Sequence, residues 1–342
     1  MRRTTRLGLA AVVLVLVLFG AYAAYWRIAA GRIEEGVVAW QQSMRARKID
    51  ASWRKLRVTG FPFDFRVALE GAALRDRALS PAPQLHLPVL TGNAHPWNLA
   101  DWRLAAPAGL SAGLAAAGDR PPLRLAARTA EGTVSRGPDG AGWLWLRLHD
   151  AKAAAGAQVP VKTVDAWITL PATPPLAESD PSVGLAVDLR QLHLPAPLAT
   201  LSGTIDELAF AATVKGAVPD GPLVPAIAAW RDAGGTIELD HLHLKWGGLA
   251  VTATGTVALD QGLQPIAAFS GGIEGFATIL SALVDGDRLN AQQATLLRIA
   301  LSALAEPGPG GRPQIATSFT IQNGKMYLGP AQLGEAPRIA WQ

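Results

Sequence analysis

The strongest hydrophobic pattern in the chain is an uninterrupted apolar run near its N-terminus. Residues 7–26, LGLAAVVLVLVLFGAYAAYW, carry no charge. A helix of this length spans roughly 30 Å, the thickness of a bilayer core, so the run predicts a membrane anchor within residues 1–26. Its anchoring side chains are three leucines of the apolar core and three aromatic residues at the outer end, where such rings prefer the interface: Leu7, Leu14, Leu18, Tyr22, Tyr25 and Trp26.

The charges that flank this run predict its orientation. Arg2, Arg3 and Arg6 precede it, and Arg27 follows it. Short basic flanks favour the cytoplasmic side, so we expect a single-pass inner-membrane protein with a cytoplasmic N-terminus and its bulk in the periplasm. A signal peptide cleaved at the small residues of positions 21–23 is the alternative. The retained anchor is favoured because the apolar run continues through that site.

A helical period continues after the run. Ile33, Val37, Trp40 and Met44 recur at spacings of four, three and four, which places them on one face of a helix. The sequence predicts a juxtamembrane helix over residues 27–50. We expect its apolar stripe to be a docking face for the sheet that follows; an independent membrane helix is the alternative.

From residue 51 onward the hydrophobic period changes to two, which is typical of strands with one buried face. Phe65, Val67 and Leu69 alternate with Arg66 and other residues in this way. The alternation shifts phase at Gly60-Phe61-Pro62, which predicts a bulge or a sharp corner.

Prolines and glycines divide the β-rich part of the chain. Four prolines within residues 171–181 predict a linker between a first β-rich half, residues 51–175, and a second, residues 182–342. In the second half, Gly247-Gly248 and Asn323-Gly324 each separate two alternating segments and predict hairpins with two-residue turns.

Two stretches of the second half return to a helical pattern. A short helix is predicted over residues 224–232, closed by Gly234-Gly235, and two helices near residues 273–305. Asn290, followed three residues later by Gln293, predicts a capping box at the start of the last helix. The predicted fold class is therefore α+β and β-rich: an N-terminal transmembrane helix followed by long curved antiparallel sheets with a few packed helices.

Composition and charge exclude several classes of function. The chain has no cysteine, which excludes thiol catalysis, disulfides and Cys-ligated metal sites. The formal net charge is +4, and three of these charges lie before the apolar run. Nucleic-acid binding needs a concentrated basic face, and residues 45–48 form the only basic cluster after the run, so we expect no nucleic-acid partner.

The sequence contains no convincing catalytic or metal-binding motif. Residues 109–113 match the nucleophile elbow G-x-S-x-G around Ser111, but Pro107 and Pro121 interrupt the strand and helix that this motif requires. His241 and His243 share a strand face, yet no third ligand has matching spacing. We expect a protein that is not an enzyme and has no cofactor and no metal.

The tryptophans are the unusual part of the composition. Trp143 and Trp145 alternate with leucines at positions 144, 146 and 148, so both faces of that strand are apolar. Such a strand is either covered on both sides or forms the wall of an apolar groove that holds lipid. Together with Trp246, these residues are the candidate ligand-binding side chains.

Several short motifs resemble one bacterial family. They are Gly60-Phe61-Pro62-Phe63 after the anchor, Trp246-Gly247-Gly248-Leu249 leading to the segment GTVALD at 255–260, and the closing segment NGKMYLGP at 323–330. These residues are similar to the family known as domain of unknown function 2125, and the resemblance covers about residues 30–340. The family implies no catalytic residues. The end of the chain also resembles AsmA-like envelope proteins, which implies long curved sheets associated with lipid movement.

Two functions follow as expectations. The first is a non-enzymatic, membrane-anchored periplasmic protein that binds lipid or another apolar ligand in a sheet-lined groove. The second is a structural or assembly factor of the cell envelope that acts through contacts with a protein partner.

Overall fold

The computed structural model of the protein describes residues 2–79, 81–116, 121–195, 201–286, 289–308 and 312–341. The chain divides into two compact units, Met1–Ser135 and Arg136–Gln342, referred to below as the N-terminal and the C-terminal unit. Strands dominate both units, and every strand pair described below is antiparallel. The predicted β-rich α+β class, with a long apolar N-terminal helix, is confirmed.

The first element, α1 (Arg2–Ala46), is a helix without interruption. The anchor and the juxtamembrane helix predicted from the sequence are thus parts of one helix. The segment Val13–Ala46 contains a window long and apolar enough to cross a membrane. Large side chains from Val13 to Phe19 are all more than half exposed. An apolar helix whose surface is not covered by protein is typical of a single-pass anchor.

Eight described strands follow α1 in the N-terminal unit. They are β1 (Ile49–Ser52), β2 (Lys55–Thr59), β3 (Phe65–Asp76), β4 (Gln84–His95), β5 (Asn98–Ala106), β6 (Leu110–Leu114), β7 (Leu123–Ala127) and β8 (Thr129–Arg136). Strand β3 pairs with β1, β2 and β4. Strand β4 also pairs with β5 and β6, and β5 pairs with β8. Phe65, at the start of β3, is fully buried in the core of this unit.

The phase shift predicted at residues 60–62 is a turn between paired strands. Thr59 of β2 lies opposite Arg66 of β3, so the two strands form a hairpin whose turn is residues 60–64. Because a hairpin turn reverses the chain, the inward positions on the two arms need not keep a single parity. This explains the change of phase.

Strands of the C-terminal unit follow one another as a meander with three helices inserted. Its described elements are β9 (Gly142–Ala155), β10 (Ala157–Leu170), β11 (Pro181–His193), β12 (Thr204–Lys215), α2 (Leu223–Asp232), β13 (Thr236–Trp246), β14 (Leu249–Leu259), β15 (Pro265–Glu274), α3 (Phe276–Asp285), α4 (Ala291–Leu304), β16 (Glu306–Pro307), β17 (Pro313–Gln322), β18 (Lys325–Leu328) and β19 (Ala331–Glu335). Each of β9–β14 pairs with the next strand, β15 pairs with β17, and β17–β19 complete the series.

The proline-rich segment at 171–181 joins two strands of the same unit. Strand β10 precedes it and β11 follows it, and Thr169 pairs with Gly184 across the connection. The boundary between the compact units lies instead at Ser135/Arg136. Prolines disfavour strand hydrogen bonding within the segment, but they do not prevent its two flanks from pairing.

The turn and cap signals of the second half are confirmed. The hairpin arms β13 and β14 meet at Gly247-Gly248, and β17 and β18 meet at Asn323-Gly324. Asn323 and Gly324 have φ values of 52° and 71°, which a type I′ turn requires. Asn290 and Gln293 form the predicted capping box of α4.

Candidate functional site

The N-terminal unit contains an apolar groove between α1 and its sheet, which we name the α1 groove. It has a volume of about 610 Å³. Four helix residues and seven sheet residues line it: Ile33, Gly36, Val37, Trp40, Val67, Leu69, Leu90, Gly92, Trp102, Leu104 and Val134. No charged, amide or hydroxyl side chain is among them.

The helix wall of the groove contains three of the four residues of the predicted stripe. Ile33, Val37 and Trp40 lie on one face of α1 and point toward the sheet. The helix does not close onto the sheet here, and Trp40 remains 45% exposed. Gly36 contributes to the gap because a Cβ at this position would have no atom within 4 Å. The predicted docking face therefore forms one side of an open groove.

The sheet wall is a continuous face of four paired strands. Leu69 of β3 lies opposite Leu90 of β4, and Val67 lies opposite Gly92. Gly92 in turn lies opposite Leu104 of β5. Because opposite residues in antiparallel strands project to the same side, these registers carry the apolar face from one strand to the next.

The same face continues to the far edge of the groove. Trp102 of β5 lies opposite Val134 of β8. Both side chains line the groove. Gly92 lies beneath Trp102 and Leu104, and a Cβ there would meet each of them at 3.3 Å. A glycine at this position lets the large side chains of β5 lean over β4.

Contacts on both sides of the groove hold α1 beside the sheet. At one end Trp26 stacks on Phe65 with ring centroids 5.2 Å apart, and its indole Nε1 donates to the carbonyl of Asp64 at 3.2 Å. At the other end Gln41 Nε2 donates to the carbonyl of Ala51 at 2.7 Å. The groove lies on the helix between these two fixed points.

The lining determines what the α1 groove can bind. Small-molecule sites usually measure roughly 300–1,000 Å³ and combine an apolar surface with a few polar groups that orient the ligand. This groove has the volume and the apolar surface but no charged, amide or hydroxyl side chain. It therefore suits a flexible hydrocarbon chain better than a polar metabolite, because a buried polar ligand group without a partner is costly.

A second apolar groove lies within the C-terminal unit. It has a volume of about 330 Å³ and is formed by side chains of β13, β14, β15, β17 and β18. Phe269 and Phe319 line it with ring centroids 6.1 Å apart. Only hydroxyl side chains, among them Thr252 and Ser270, interrupt its apolar surface. This groove is about half the volume of the α1 groove.

The tryptophans selected from the sequence occupy other surroundings. Trp143 and Trp145 lie on β9, and Trp145 is opposite Trp167 of β10. The indole Nε1 of Trp145 donates to Asp165 at 3.3 Å, and the guanidinium of Arg147 lies 5.1 Å from its ring centroid. These tryptophans thus share their face with a charge pair, and they do not line either apolar groove.

Trp246 lies at a more polar recess of about 440 Å³ in the C-terminal unit. Its indole donates to the carbonyl of Ser202 at 2.8 Å. His243, Lys245 and Glu274 are among the residues that line the recess. Nearby, the hydrogen bond from Lys245 to Glu207 lowers the pKa of that carboxyl below its ordinary value, against a smaller opposing effect of burial.

The structure also places the residues of the weak catalytic motifs. Ser111 lies within β6, paired with His86 of β4 and Ala126 of β7. A serine in the middle of a paired strand is not at the strand-to-helix turn that a nucleophile elbow needs. In the described ranges no three His, Asp or Glu residues lie close enough to hold a metal ion.

The sheet wall of the α1 groove is not among the sites predicted from the sequence. Strand β5 was not among the predicted strands, although Trp102, Leu104 and Ala106 alternate with polar or small neighbours. This period of two is the signal that would have identified it. A search for continuous apolar runs misses this strand, because its apolar set is short and Asp101 and Arg103 interrupt it.

Comparison with known proteins identifies the chain at the level of its family. No curated protein and no solved structure matches it. The AsmA-like resemblance therefore stays a prediction. One family matches over residues 26–337, nearly all of the chain after the apolar run. The chain belongs to this family, DUF2125, described as an uncharacterized protein conserved in bacteria.

Proposed function

We propose that this protein is a non-enzymatic, single-pass inner-membrane protein whose periplasmic part binds the acyl chain of a lipid in the α1 groove. The observation that carries the proposal is the position of the groove: it lies along the same helix that begins as the apolar anchor. A lipid chain in this groove would be close to the bilayer from which it came.

Contacts of the anchor with the turn between β2 and β3 support its retention. The ring of Phe19 packs edge-on against Phe61 with centroids 5.9 Å apart. The hydroxyl of Tyr22 donates to the carbonyl of Pro62. Cleavage at residues 21–23 would remove both partners from the N-terminal unit. The basic residues before the apolar run support a cytoplasmic N-terminus, and hence a periplasmic sheet.

Filling the groove tests the ligand proposal. In Gly36→Leu the new side chain enters open space at the groove wall, because no atom lies within 4 Å of the added Cβ. Leucine also favours the helix over glycine by about 1 kcal/mol, so the variant should fold. We expect it to compete with the bound chain and reduce lipid occupancy.

Gly31→Leu is the matched control. Position 31 lies in the same helix, also has no atom within 4 Å of an added Cβ, and does not line the groove. Cells would be fed a photoreactive fatty acid that is built into their phospholipids, and lipid adducts on the full chain would be mapped by mass spectrometry. We expect adducts on groove residues such as Val37 and Leu69 in the wild type and in Gly31→Leu, and a several-fold loss in Gly36→Leu.

Adducts in the apolar run serve as the internal standard of this experiment, because any membrane anchor contacts lipid. Groove adducts that do not change in Gly36→Leu would contradict binding in the α1 groove. Adducts confined to the apolar run would also contradict binding in the α1 groove, but they would still support the membrane anchor.

A second candidate function is that of an envelope assembly factor, and one observation favours it. Helix α4 exposes Leu296, Ile299 and Leu304 to at least 64% each. Large apolar side chains on one exposed helix are typical of a protein contact surface. A photocrosslinker at Ile299 that captures one envelope protein in a stoichiometric complex would support this function; no such product would argue against it.

A further inference from the structure

Two turns of the N-terminal unit present exposed aromatic side chains at the same edge of the sheet. Residues 60–64 connect β2 to β3, and Pro96-Trp97 connects β4 to β5. Phe63 and Trp97 are 69% and 70% exposed. Phe65 lies opposite Ala94 in the β3–β4 pair, so both turns extend beyond the same end of these strands. We name them together the aromatic tips.

The aromatic tips lie beside the outer end of the apolar run. Phe61 contacts both Phe19 and Trp26, with centroids 5.9 and 5.6 Å away. Those two helix residues are seven positions apart, or about 10 Å along the axis. Tyr25 donates from its hydroxyl to the carbonyl of Pro96 at 2.9 Å. Both turns are therefore at the level where α1 carries its interfacial aromatic residues.

The two turns are also connected to each other. His95 Nδ1 lies 3.1 Å from a carboxylate oxygen of Asp64, which joins the second turn to the first. The His95 ring stacks on Trp97 with centroids 4.9 Å apart and planes 3° from parallel. This stacking holds the Trp97 indole in one orientation, in which most of its surface is exposed.

The other end of the same strands is far from this level. Strand β3 advances about 3.3 Å per residue, so Asp76 is on the order of 35 Å from Phe65. Just after it, Arg77 pairs with Asp50 at 2.8 Å, immediately beyond the C-terminal end of α1. The exposed aromatic side chains are thus at the end of the sheet nearest the apolar run.

We propose that the aromatic tips insert into the headgroup region of the bilayer that α1 crosses, so that the N-terminal unit is held to the membrane at three points. The proposal rests on the anchor of the proposed function and does not depend on a ligand in the α1 groove. Trp side chains are enriched at the membrane interface, and exposed Phe side chains of interfacial segments enter the headgroup–acyl boundary. The position of the tips against α1 would place both side chains there without a change in the fold.

The absence of cysteine from the chain makes a direct test possible. One cysteine is introduced at a time into the full chain, as Phe63→Cys or Trp97→Cys, and labelled with the environment-sensitive fluorophore NBD. Both positions are exposed, so labelling should leave the fold intact; Phe63→Cys also leaves the His95–Trp97 stack in place. The control is Leu79→Cys, an exposed position at the opposite end of β3.

The labelled proteins are reconstituted into vesicles of phosphatidylethanolamine and phosphatidylglycerol that contain a lipid with a nitroxide near its headgroup. We expect the nitroxide to quench most of the emission at positions 63 and 97 and little of the emission at position 79. In detergent-free buffer with nitroxide-free vesicles, the emission maxima of 63 and 97 should lie to the blue of 79.

Flotation of the vesicles is measured on the same samples and separates the two proposals. Protein that floats with the vesicles but shows equal quenching at positions 63, 79 and 97 would overturn insertion of the tips and leave the anchor standing. Protein that does not float would overturn the anchor and the insertion together. Blue-shifted but unquenched emission at 63 and 97 would assign the tips to a protein contact instead.

Discussion

The buried carboxylate of Asp165 shows how one residue is stabilised within the C-terminal unit. Its side chain is 7% exposed and accepts a hydrogen bond from Arg147 Nε at 2.7 Å. The two residues lie opposite each other on β9 and β10, so the pair crosses one strand boundary. A well-placed partner offsets part of the cost of burying a charge, so removal of that partner is destabilising.

We therefore expect Asp165→Ala to lower the free energy of unfolding by about 2 kcal/mol, since the bonds from Arg147 Nε and Trp145 Nε1 to this carboxylate are lost. The partial exposure of Arg147 keeps the effect below that of a fully buried pair. The shift would be measured by chemical denaturation in detergent, followed by tryptophan fluorescence. Asp50→Ala removes an exposed pair with Arg77 and should cost less than about 1 kcal/mol. Equal effects of the two variants would contradict this explanation.

A second residue-scale effect depends on pH. The backbone N–H groups of Ala177 and Leu176 donate to Asp180, at 2.9 and 3.0 Å. These bonds favour the charged form and lower the pKa of Asp180 below its ordinary value. A lowered folded-state pKa stabilises the fold above the unfolded-state pKa, near 3.9, and this contribution is lost as the pH falls through the folded-state value.

Asp180→Asn removes the titration but keeps a side-chain acceptor. We expect the wild type to be more stable than the variant near neutral pH and the difference to shrink below about pH 4. Denaturation midpoints across this range would measure it. A constant difference between the two curves would show that Asp180 acts through its shape and not through its charge.

The candidate tryptophans and the α1 groove are separate features of the structure. Trp143, Trp145 and Trp246 are the candidates because large apolar side chains on a strand predict a groove. In the structure the indole of Trp145 lies beside Arg147 and Asp165, and Trp246 lines a recess that also contains charged residues. The α1 groove depends as much on Gly36 and Gly92, which leave space. An absent side chain gives no hydrophobic signal, so the apolar pattern that predicts the stripe on α1 does not indicate the space that these two glycines leave.

At the scale of elements, α4 shows how local signals set a boundary. The Asn290 side chain accepts from the Gln293 backbone N–H at 2.8 Å, and the Gln293 side chain accepts from the Asn290 N–H at 3.2 Å. This reciprocal pairing satisfies N–H groups that have no partner within the helix. It was predicted from two residues three positions apart.

We expect Asn290→Ala to destabilise α4 by about 1 kcal/mol because the cap is lost. Hydrogen exchange should accelerate at the amides of the first turn of α4. Thr295→Ala is the control: Thr295 bonds back to the Ala291 carbonyl at 2.9 Å within the exposed helix, so its loss should change little. Faster exchange in both variants would point to general fraying instead of a specific cap.

The elements that the sequence predicted share a short range of interaction. Turns such as Asn323-Gly324 need two residues with positive φ, and helix caps need four or five positions. The turn at residues 60–64 was expected only as a bulge or corner. Its identity as a hairpin turn depends on the pairing of Thr59 with Arg66, which a change of phase by itself does not specify.

At the scale of the whole molecule, retention of the apolar run is the most consequential prediction. We expect the mature protein to keep residues 1–26, because the aromatic residues at the end of the run pack on the N-terminal unit. The protein should resist carbonate extraction from membranes, and its intact mass should be that of the full chain. A mass that corresponds to a chain beginning near residue 24, with the protein in the soluble fraction, would establish a cleaved signal peptide instead.

Periodicity and contacts between neighbours in the chain are sufficient to predict the apolar helix, the β-rich fold class, several strands and the sharp turns. Where the apolar surfaces meet depends on tertiary contacts. Val37, Leu69 and Trp102 are distant in sequence. Strand pairing and the contacts that hold α1 beside the sheet bring them to one groove. The aromatic tips arise in the same way, because only the fold places two separate turns beside the end of the apolar run.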